Sequence, residues 1–365
     1  MRSEYLRKTI HMLVLLPALL MRWLDPVWAL LFGWIAIFIN FFLMERFAGG
    51  IFRDLGKKRD WGLVLYTLGI FILVLWLYDE IYIAVGAFAI QALGDGAATM
   101  AGLTFKSPRL PWNPKKSEAG AVGFFLASLL SVFLMKFVDP SISMAAWIGP
   151  VVVAGALCAL LESAPLAVND NLTVPLAAGA ILKLFAVGEW GALIAVGGWA
   201  PLGWAVLASA AAMAAAHGLG WLTTSGAILG LGIGVVANTA GGPALFLLLA
   251  VFLALASADT IYRYDEKMRM GRAQLAGGRR SARHVIANGA VVAYFALWHG
   301  RTGDPVALVA AIAAVAAAFG DTLSTELGMV WGRRPFHIIT LEARRPGESG
   351  VISMAGALAG AAGLP

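Results

Sequence analysis

Cysteine is nearly missing from these 365 residues, and charge is scarce. The single Cys158 sits inside an apolar run, which leaves no disulfide framework and no cysteine-rich metal site. Lys, Arg, Asp and Glu make up 13% of the chain, against about 25% in a typical soluble domain. Signatures of water-soluble phosphate chemistry are missing too. There is no Gly-x4-Gly-Lys-Ser/Thr loop, no kinase His-Arg-Asp set and no Gly-x-Ser-x-Gly elbow, which argues against a soluble-type nucleoside triphosphatase. The basic and apolar N-terminal stretch lacks a small-residue cleavage site, so it is expected to be retained.

Apolar residues fill the space that charge leaves. They form 60% of the chain, in many runs of the length a bilayer core demands. The expected fold is all-α: a polytopic integral membrane protein of about 13 transmembrane helices with a cytoplasmic N-terminus. The spans read as roughly 9–24, 26–44, 61–78, 81–103, 119–137, 142–165, 172–187, 191–217, 222–238, 241–262, 284–299, 306–328 and 350–365. Alternating sides from a cytoplasmic start places all but four of the 27 Lys and Arg in loops on one face. Acidic residues such as Asp79, Glu80, Asp139, Glu189 and Asp304 fall on the other. The net charge of +6 therefore reads as membrane orientation rather than as affinity for nucleic acid.

Three features recur in the same order in the two halves. The first is a basic residue four positions before His: "RKTIH" with His11, and "RSARH" with Arg280 and His284. The second is Gly-Asp-x3-Thr-x2-Gly closing an apolar run, in "LGDGAATMAGLTF" (93–105) and "FGDTLSTELGMVW" (319–331). The third is a basic loop leading into a glycine-containing helix start. It appears as "PKKSEAGAVG", with Lys115, Lys116, Ser117 and Gly120, and as "RRPGESGVISMAG", with Arg344, Arg345 and Gly350.

Ionisable residues inside membrane spans are costly and default to functional candidates. On a helix, Asp95, Thr99 and Gly102 share one face, as do Asp321, Thr325 and Gly328, with Glu326 beside them. A carboxylate with a nearby hydroxyl suits a hard divalent cation, and the basic loops and helix N-termini that follow suit phosphate. These are the parts phosphoryl transfer requires. The alternative is that the two Asp are solvated helix ends and the glycines serve packing. The segment "ESAPLAVNDNLTVPL" adds Glu162, Asp170 and Asn171, which either ligate metal or take a proton from a hydroxyl, or else cap the next helix. His11 and His284 either contact phosphate or lie at the interface among basic neighbours. Asp259 is a weaker candidate, and the glycines of "LGLGIG" read as helix packing.

With "EYLRKTIH", "LGDGAATMAG", "LPWNPKKSEAG" and "ESAPLAVNDNLTVPL", residues 1–215 resemble the phytol and dolichol kinase family, relatives of the CDP-diacylglycerol synthases. With "LTTSGAILG", "GGRRSARHVIANG", "FGDTLSTELG" and "PGESGVISMAG", residues 220–365 resemble the domain-of-unknown-function 92 family, which includes transmembrane protein 19 and the plant phytyl-phosphate kinase. The first resemblance implies phosphorylation of an isoprenoid alcohol, commonly with CTP and a divalent metal such as Mg2+. The second implies phosphorylation of the resulting prenyl phosphate. The expected organisation is a kinase-like domain over 1–217 and a phosphate-kinase-like domain over 218–365. Catalysis is then expected of Asp95, Glu162, Asp170 and Asp321. Nucleotide or phosphate binding falls to Lys115, Lys116, Ser117, Gly120, Arg280, His284, Arg344, Arg345 and Gly350. Metal binding falls to Asp95, Thr99, Asp170, Asn171, Asp321, Thr325 and Glu326. The protein is expected in an inner membrane with its sites at the cytoplasmic face, its partners being the bilayer, isoprenoid alcohols and prenyl phosphates. Two rivals remain: a cytidylyltransferase making a CDP-linked lipid, and a transporter or lipid-binding protein whose Asp motifs are ion sites.

Overall fold

Long apolar runs with capped starts build helices, and helices dominate the computed structural model. It describes residues 2–43, 61–164, 169–187, 199–269, 276–332, 334–338, 341–344 and 351–362. The chain divides into two compact units, Met1–Ala186 and Val187–Pro365.

The first unit comprises α1 (Arg2–Leu13), α2 (Leu15–Leu19), α3 (Pro26–Phe38), α4 (Trp61–Trp76), α5 (Ile81–Thr104), α6 (Glu118–Ser128), α7 (Ser131–Val138), α8 (Met144–Ser163) and α9 (Asp170–Ala186). Local chemistry sets the starts. Asp25 accepts a hydrogen bond from Val27 N at 2.9 Å, with Pro26 in the first turn of α3, and Ser143 caps α8. The 24 residues of α5 reach about 36 Å, enough to cross a bilayer core of about 30 Å. This helix is rich in Ala and Gly and buried along most of its length, with α1, α4, α6, α7, α8 and α9 packed around it. In hydrocarbon, burying an apolar side chain releases no water, so helix association relies on close packing at small residues. Gly94 shows this: a Cβ there would come within 2.8 Å of the fully buried Phe124 ring.

After α5 the chain makes an antiparallel pair, β1 (Arg109–Leu110) with β2 (Asn113–Ser117), and re-enters as α6. Ser117 caps α6 by accepting from Gly120 N at 3.2 Å. A Cβ on Gly120 would lie 3.1 Å from the Ala98 carbonyl oxygen, and one on Gly123 would lie 2.9 Å from Ala101 Cβ.

The second unit comprises α10 (Trp199–Gly218), α11 (Thr224–Gly241), α12 (Pro243–Ile261), the short α13 (Tyr264–Arg269), α14 (Ala282–Thr302), α15 (Pro305–Trp331) and α16 (Met354–Ala362). Its core gathers Ala237, Phe252, Ala256, Val292, Ala296 and Val315. Here too the Gly-Asp helix, α15, leads to an antiparallel pair, β3 (Phe336–His337) with β4 (Val351–Ile352), and then to a helix packed back on it. Ser353 accepts from Gly356 N at 3.1 Å, as Ser117 does from Gly120.

Among the described residues, six helices are long and apolar enough to cross a membrane, and four shorter apolar helices accompany them. The protein is an all-α, polytopic integral membrane protein. Within 350–365 the described residues form a two-residue strand and the nine-residue α16, which packs on α15 at Gly356 and Gly360 and leaves Met354 and Leu358 exposed.

The close approach of α6 to α5 yields a prediction. Gly123→Val puts two methyl groups against Ala101 and the Ala97 carbonyl, and should cost about 1–3 kcal/mol of overpacking. A lowered thermal midpoint in detergent, with Ala121→Val at a neighbouring half-buried position less affected, is the expected result.

Candidate functional site

In the first unit the polar residues converge where α1, α5, the β1–β2 hairpin, the end of α8 and the start of α9 meet. Asp95 is buried on α5 and ion-paired to Lys8 of α1, with His11 Nε2 3.6 Å from the same carboxylate oxygen. Tyr66 fixes this histidine: its ring stacks on the imidazole at 3.8 Å between centroids, and its hydroxyl donates to the His11 carbonyl at 3.2 Å. The hairpin is lashed to the end of α8, because Trp112 Nε1 donates to Ser163 Oγ at 3.2 Å and Asn113 Nδ2 to Ser163 O at 3.0 Å. That brings Lys116 onto Glu162, with Asp170 Oδ2 3.8 Å away. Burial disfavours the charged form of Lys116, but Glu162, Asp170 and Asp95 outweigh it and hold the ammonium above its usual range.

Beside these charges lies an acceptor without a donor. Asn171 Nδ2 donates to Gly62 O at 3.0 Å, which turns its Oδ1 toward Gln91. Gln91 Nε2 donates to that oxygen at 3.3 Å, leaving Gln91 Oε1 with no hydrogen-bond partner among the described residues. Gln91 is fully buried and stands one helical turn before Asp95, on the same face of α5. A buried amide oxygen in this state wants a donor.

The second unit builds a different cluster. Lys267 and Glu326 are each about 1% exposed, and Lys267 Nζ donates to Glu326 Oε2 at 2.6 Å and to the carbonyls of Asp259 and Thr260 at 2.9 and 3.3 Å. Thr260 Oγ1 lies 3.3 Å from Glu326 Oε1. Arg280 Nη2 donates to Ala256 O at 3.0 Å, and its guanidinium sits 6.0 Å from the Phe252 ring centre. Burial pulls the Arg280 guanidinium down from its usual value, against the pull of Glu326 and Asp259. One Asp259 carboxylate oxygen is buried without a hydrogen-bond partner among the described residues.

The structure thus brings together Asp95, Lys116, Glu162, Asp170 and Asn171, and adds Lys8 and Gln91, which sequence reasoning did not single out. Gln91 could have been found as the amide one turn before Asp95 in an otherwise apolar run. Thr99 is half-buried on the Asp95 face, Lys115 is exposed, and Ser117 and Gly120 act locally as cap and capped residue. Asn171 donates from its amide nitrogen to Gly62 O and accepts from Gln91 at its Oδ1. Among the described residues no group of three His, Cys, Asp or Glu is placed to hold a metal ion.

The second Asp motif is not equivalent in environment. Asp321 and Thr325 are exposed, whereas Glu326, about 140° further round the helix, points into the cluster. Asp259, ranked low from sequence, belongs to that cluster. His284 closes a capping box with Ser281, and exposed Arg344 pairs with Glu342 at 2.7 Å. Arg345 and Gly350 lie outside the described residues.

Comparison with known proteins fits this architecture. Residues 207–364 match the family Integral membrane protein DUF92. A probable chloroplastic phytol kinase of Triticum aestivum is 28% identical over 148 residues, 38% of this chain and 49% of the relative. Protein VTE6, chloroplastic, of Arabidopsis thaliana is 28% identical over 144 residues, covering 38% and 43%. The chloroplastic farnesol kinase of Arabidopsis thaliana is 30% identical over 132 residues, covering 33% and 42%. The chain therefore spans about half the length of these curated relatives, or less. The similarities are thus of parts: residues 207–364 to the DUF92 family, and about a third of the chain to each of these kinases. No solved structure matches.

The Lys267–Glu326 pair can be tested. Removing one partner strands a charge in the core, so Lys267→Met should cost about 3–5 kcal/mol, while Lys267→Met with Glu326→Gln should recover most of it. Thermal midpoints of the four proteins in one detergent give the cycle.

Proposed function

We propose that this membrane protein phosphorylates an isoprenoid alcohol, such as phytol or farnesol, at the polar centre of its first unit. A nucleoside triphosphate, with CTP favoured by the resemblance, is the donor. The observation that carries the reading is the meeting of Asp95, Lys116, Glu162 and Asp170 beside the unpaired acceptor of Gln91, among apolar helices. The printed names of the chloroplastic phytol and farnesol kinases support it.

An alcohol brings one proton to donate and must lose it as it attacks phosphorus. Gln91 Oε1 accepts the hydroxyl hydrogen bond as the alcohol docks, and the hydrogen turns from it to a carboxylate as the oxygen attacks phosphorus. Asp170, with a side chain 43% exposed and only a 3.8 Å contact to Lys116, is the carboxylate free enough to take the proton. The alcohol oxygen forms the new bond to the γ-phosphorus, the bond to the β–γ bridging oxygen breaks, and the nucleoside diphosphate leaves. Lys116 stays protonated and meets the charge growing on the transferred group. Glu162 positions that ammonium, and Lys8 with His11 keeps Asp95 ionised in a buried setting. A divalent cation such as Mg2+ commonly rests on one or two carboxylates and the substrate phosphates; here Asp95 would hold it, leaving Asp170 as the base, and it would neutralise phosphate charge.

The second unit is read as the site of a second phosphorylation, of the monophosphate to the diphosphate. A monophosphate is already anionic and needs no base, which accords with a cluster dominated by fixed ion pairs. Both sites are assigned to the face bearing the basic loops, the cytoplasmic side of an inner membrane by the positive-inside rule.

Purified full-length chain with Mg2+, CTP and geranylgeraniol should yield prenyl phosphate and CDP. No prenyl phosphate with any nucleoside triphosphate sinks the reading, and pyrophosphate release would make the protein a cytidylyltransferase instead. Asp95→Asn should reduce alcohol phosphorylation at least about a hundredfold. Gln91→Leu should lower kcat/KM for the alcohol about tenfold, by loss of one hydrogen bond. Glu326→Gln should impair only the monophosphate step.

A further inference from the structure

In the first unit, α3 turns its bulky apolar residues outward and its small ones inward. Trp28, Leu31, Trp34, Ile35 and Phe38 are exposed, whereas Ala29, Gly33 and Ala36 are half-buried and line a cavity of about 270 Å³. That volume is close to the lower end of small-molecule sites, about 300 Å³. Facing walls come from α4, between Thr67 and Val74, and from α5, between Ile81 and Phe88. Each of the three walls advances seven residues along its helix, about 10 Å. Among the described residues that line the cavity the only hydroxyl is that of Thr67, which donates to the carbonyls of Leu63 and Val64 at 3.3 and 3.0 Å. The interior is hydrocarbon in character.

One end of this cavity is walled by packed side chains, and the other leads to the polar centre. At the walled end stand Ile81 and Met21, the latter in the turn after α2 and packed with Val85 and Val138. At the other end the Phe88 ring meets Tyr66 edge-on at 5.6 Å between centroids, and Tyr66 stacks on His11 beside Asp95. On α5, Ile81, Ala84, Phe88, Gln91 and Asp95 stand at i, i+3, i+7, i+10 and i+14, one face of a helix. The first three line the cavity, and the last two belong to the polar centre. That face therefore changes from hydrocarbon to polar within one turn, between Phe88 and Gln91.

We propose that this cavity measures the tail of the alcohol, and that Met21 and Ala29 set a preference for three isoprene units. The inference rests on the reading of the first unit as an isoprenoid alcohol kinase, and adds the chain length and the residues that choose it. From Gln91, which receives the hydroxyl, back to Ile81 is ten residues of helix, about 15 Å. An extended carbon chain advances about 1.25 Å per bond, from bonds of about 1.5 Å at tetrahedral angles. A span of about 15 Å therefore holds about 12 main-chain carbons, those of three isoprene units. A fourth unit meets Met21 and Ile81 and has to bend aside.

The test measures binding of radiolabelled farnesol to the full-length chain in detergent, without nucleotide, in competition with geraniol and geranylgeraniol, one unit shorter and one longer. The kcat/KM with CTP is then compared for the same alcohols. Farnesol should lead both series, ahead of the more hydrophobic geranylgeraniol. Met21→Ala deepens the cavity and should raise geranylgeraniol relative to farnesol about tenfold; Ala29→Phe shortens it and should raise geraniol relative to farnesol by about as much. Geranylgeraniol ahead of farnesol in the unmodified chain overturns the proposal, as do ratios that neither variant moves. Length-dependent binding without phosphorylation keeps the cavity and sinks the kinase reading, whereas phosphorylation with length-independent binding does the reverse. Phosphatidylglycerol that displaces farnesol as well as unlabelled farnesol does assigns the cavity to bilayer lipid and overturns the proposal.

Discussion

A carboxylate buried between helices in a membrane cannot remain charged without a cation beside it. That constraint organises both units. In the first, Asp95 on the most buried helix is met by Lys8 from the N-terminal helix, and Glu162 at the end of α8 is met by Lys116 from the hairpin. In the second, Glu326 is met by Lys267 from a short helix after α12. Each pairing crosses a large stretch of sequence and pins a surface segment onto the membrane helices. The loops near the polar centres are therefore located by electrostatics more than by apolar packing, which would leave them free to slide.

The architecture around these pairs repeats. In both units a Gly-Asp helix is followed by a short antiparallel pair and then a helix that starts at a Ser capping the Gly three residues on. A Cβ on Gly120 would strike the carbonyl of Ala98, and one on Gly356 would strike the carbonyl of Ser324 at 2.7 Å. Ala98 and Ser324 each stand three residues after the motif Asp, so the contact sits in the same register in both copies. The glycine is required for the same reason twice: the returning helix packs directly on backbone.

Much of this was legible in sequence because it is local. Apolar run length marks the helices; Asp95, Glu162 and Asp170 stood out as acids at the ends of apolar runs, and Lys116 as part of a basic loop. What was not legible depends on rotation and on distant partners. Asp321 looks like the twin of Asp95 in spacing, yet the facing of α15 exposes it and buries Glu326. Nothing in "FGDTLSTELG" states which acid faces inward; Lys267, 59 residues away, decides it. Asp259 was undervalued because an acid near the end of an apolar run, outside the repeated motif, reads equally as a solvated helix end.

The two copies can share a frame and still serve different chemistry because the frame and the charges are set by different residues. Register depends on Gly120 and Gly356 and their Ser caps, none of which carries a charge. The acid, by contrast, is chosen by whichever neighbouring segment supplies the cation. In the first unit that segment is α1, which also brings His11, while the α9 start adds Asp170 and sets Asn171 against Gln91 of α5. In the second unit the carboxylates of the centre are Asp259 and Glu326, and Glu326 is held by a lysine about 1% exposed. The divergence lies in what packs over the repeated frame: a half-open acid and an amide pair in the first unit, a closed ion pair in the second.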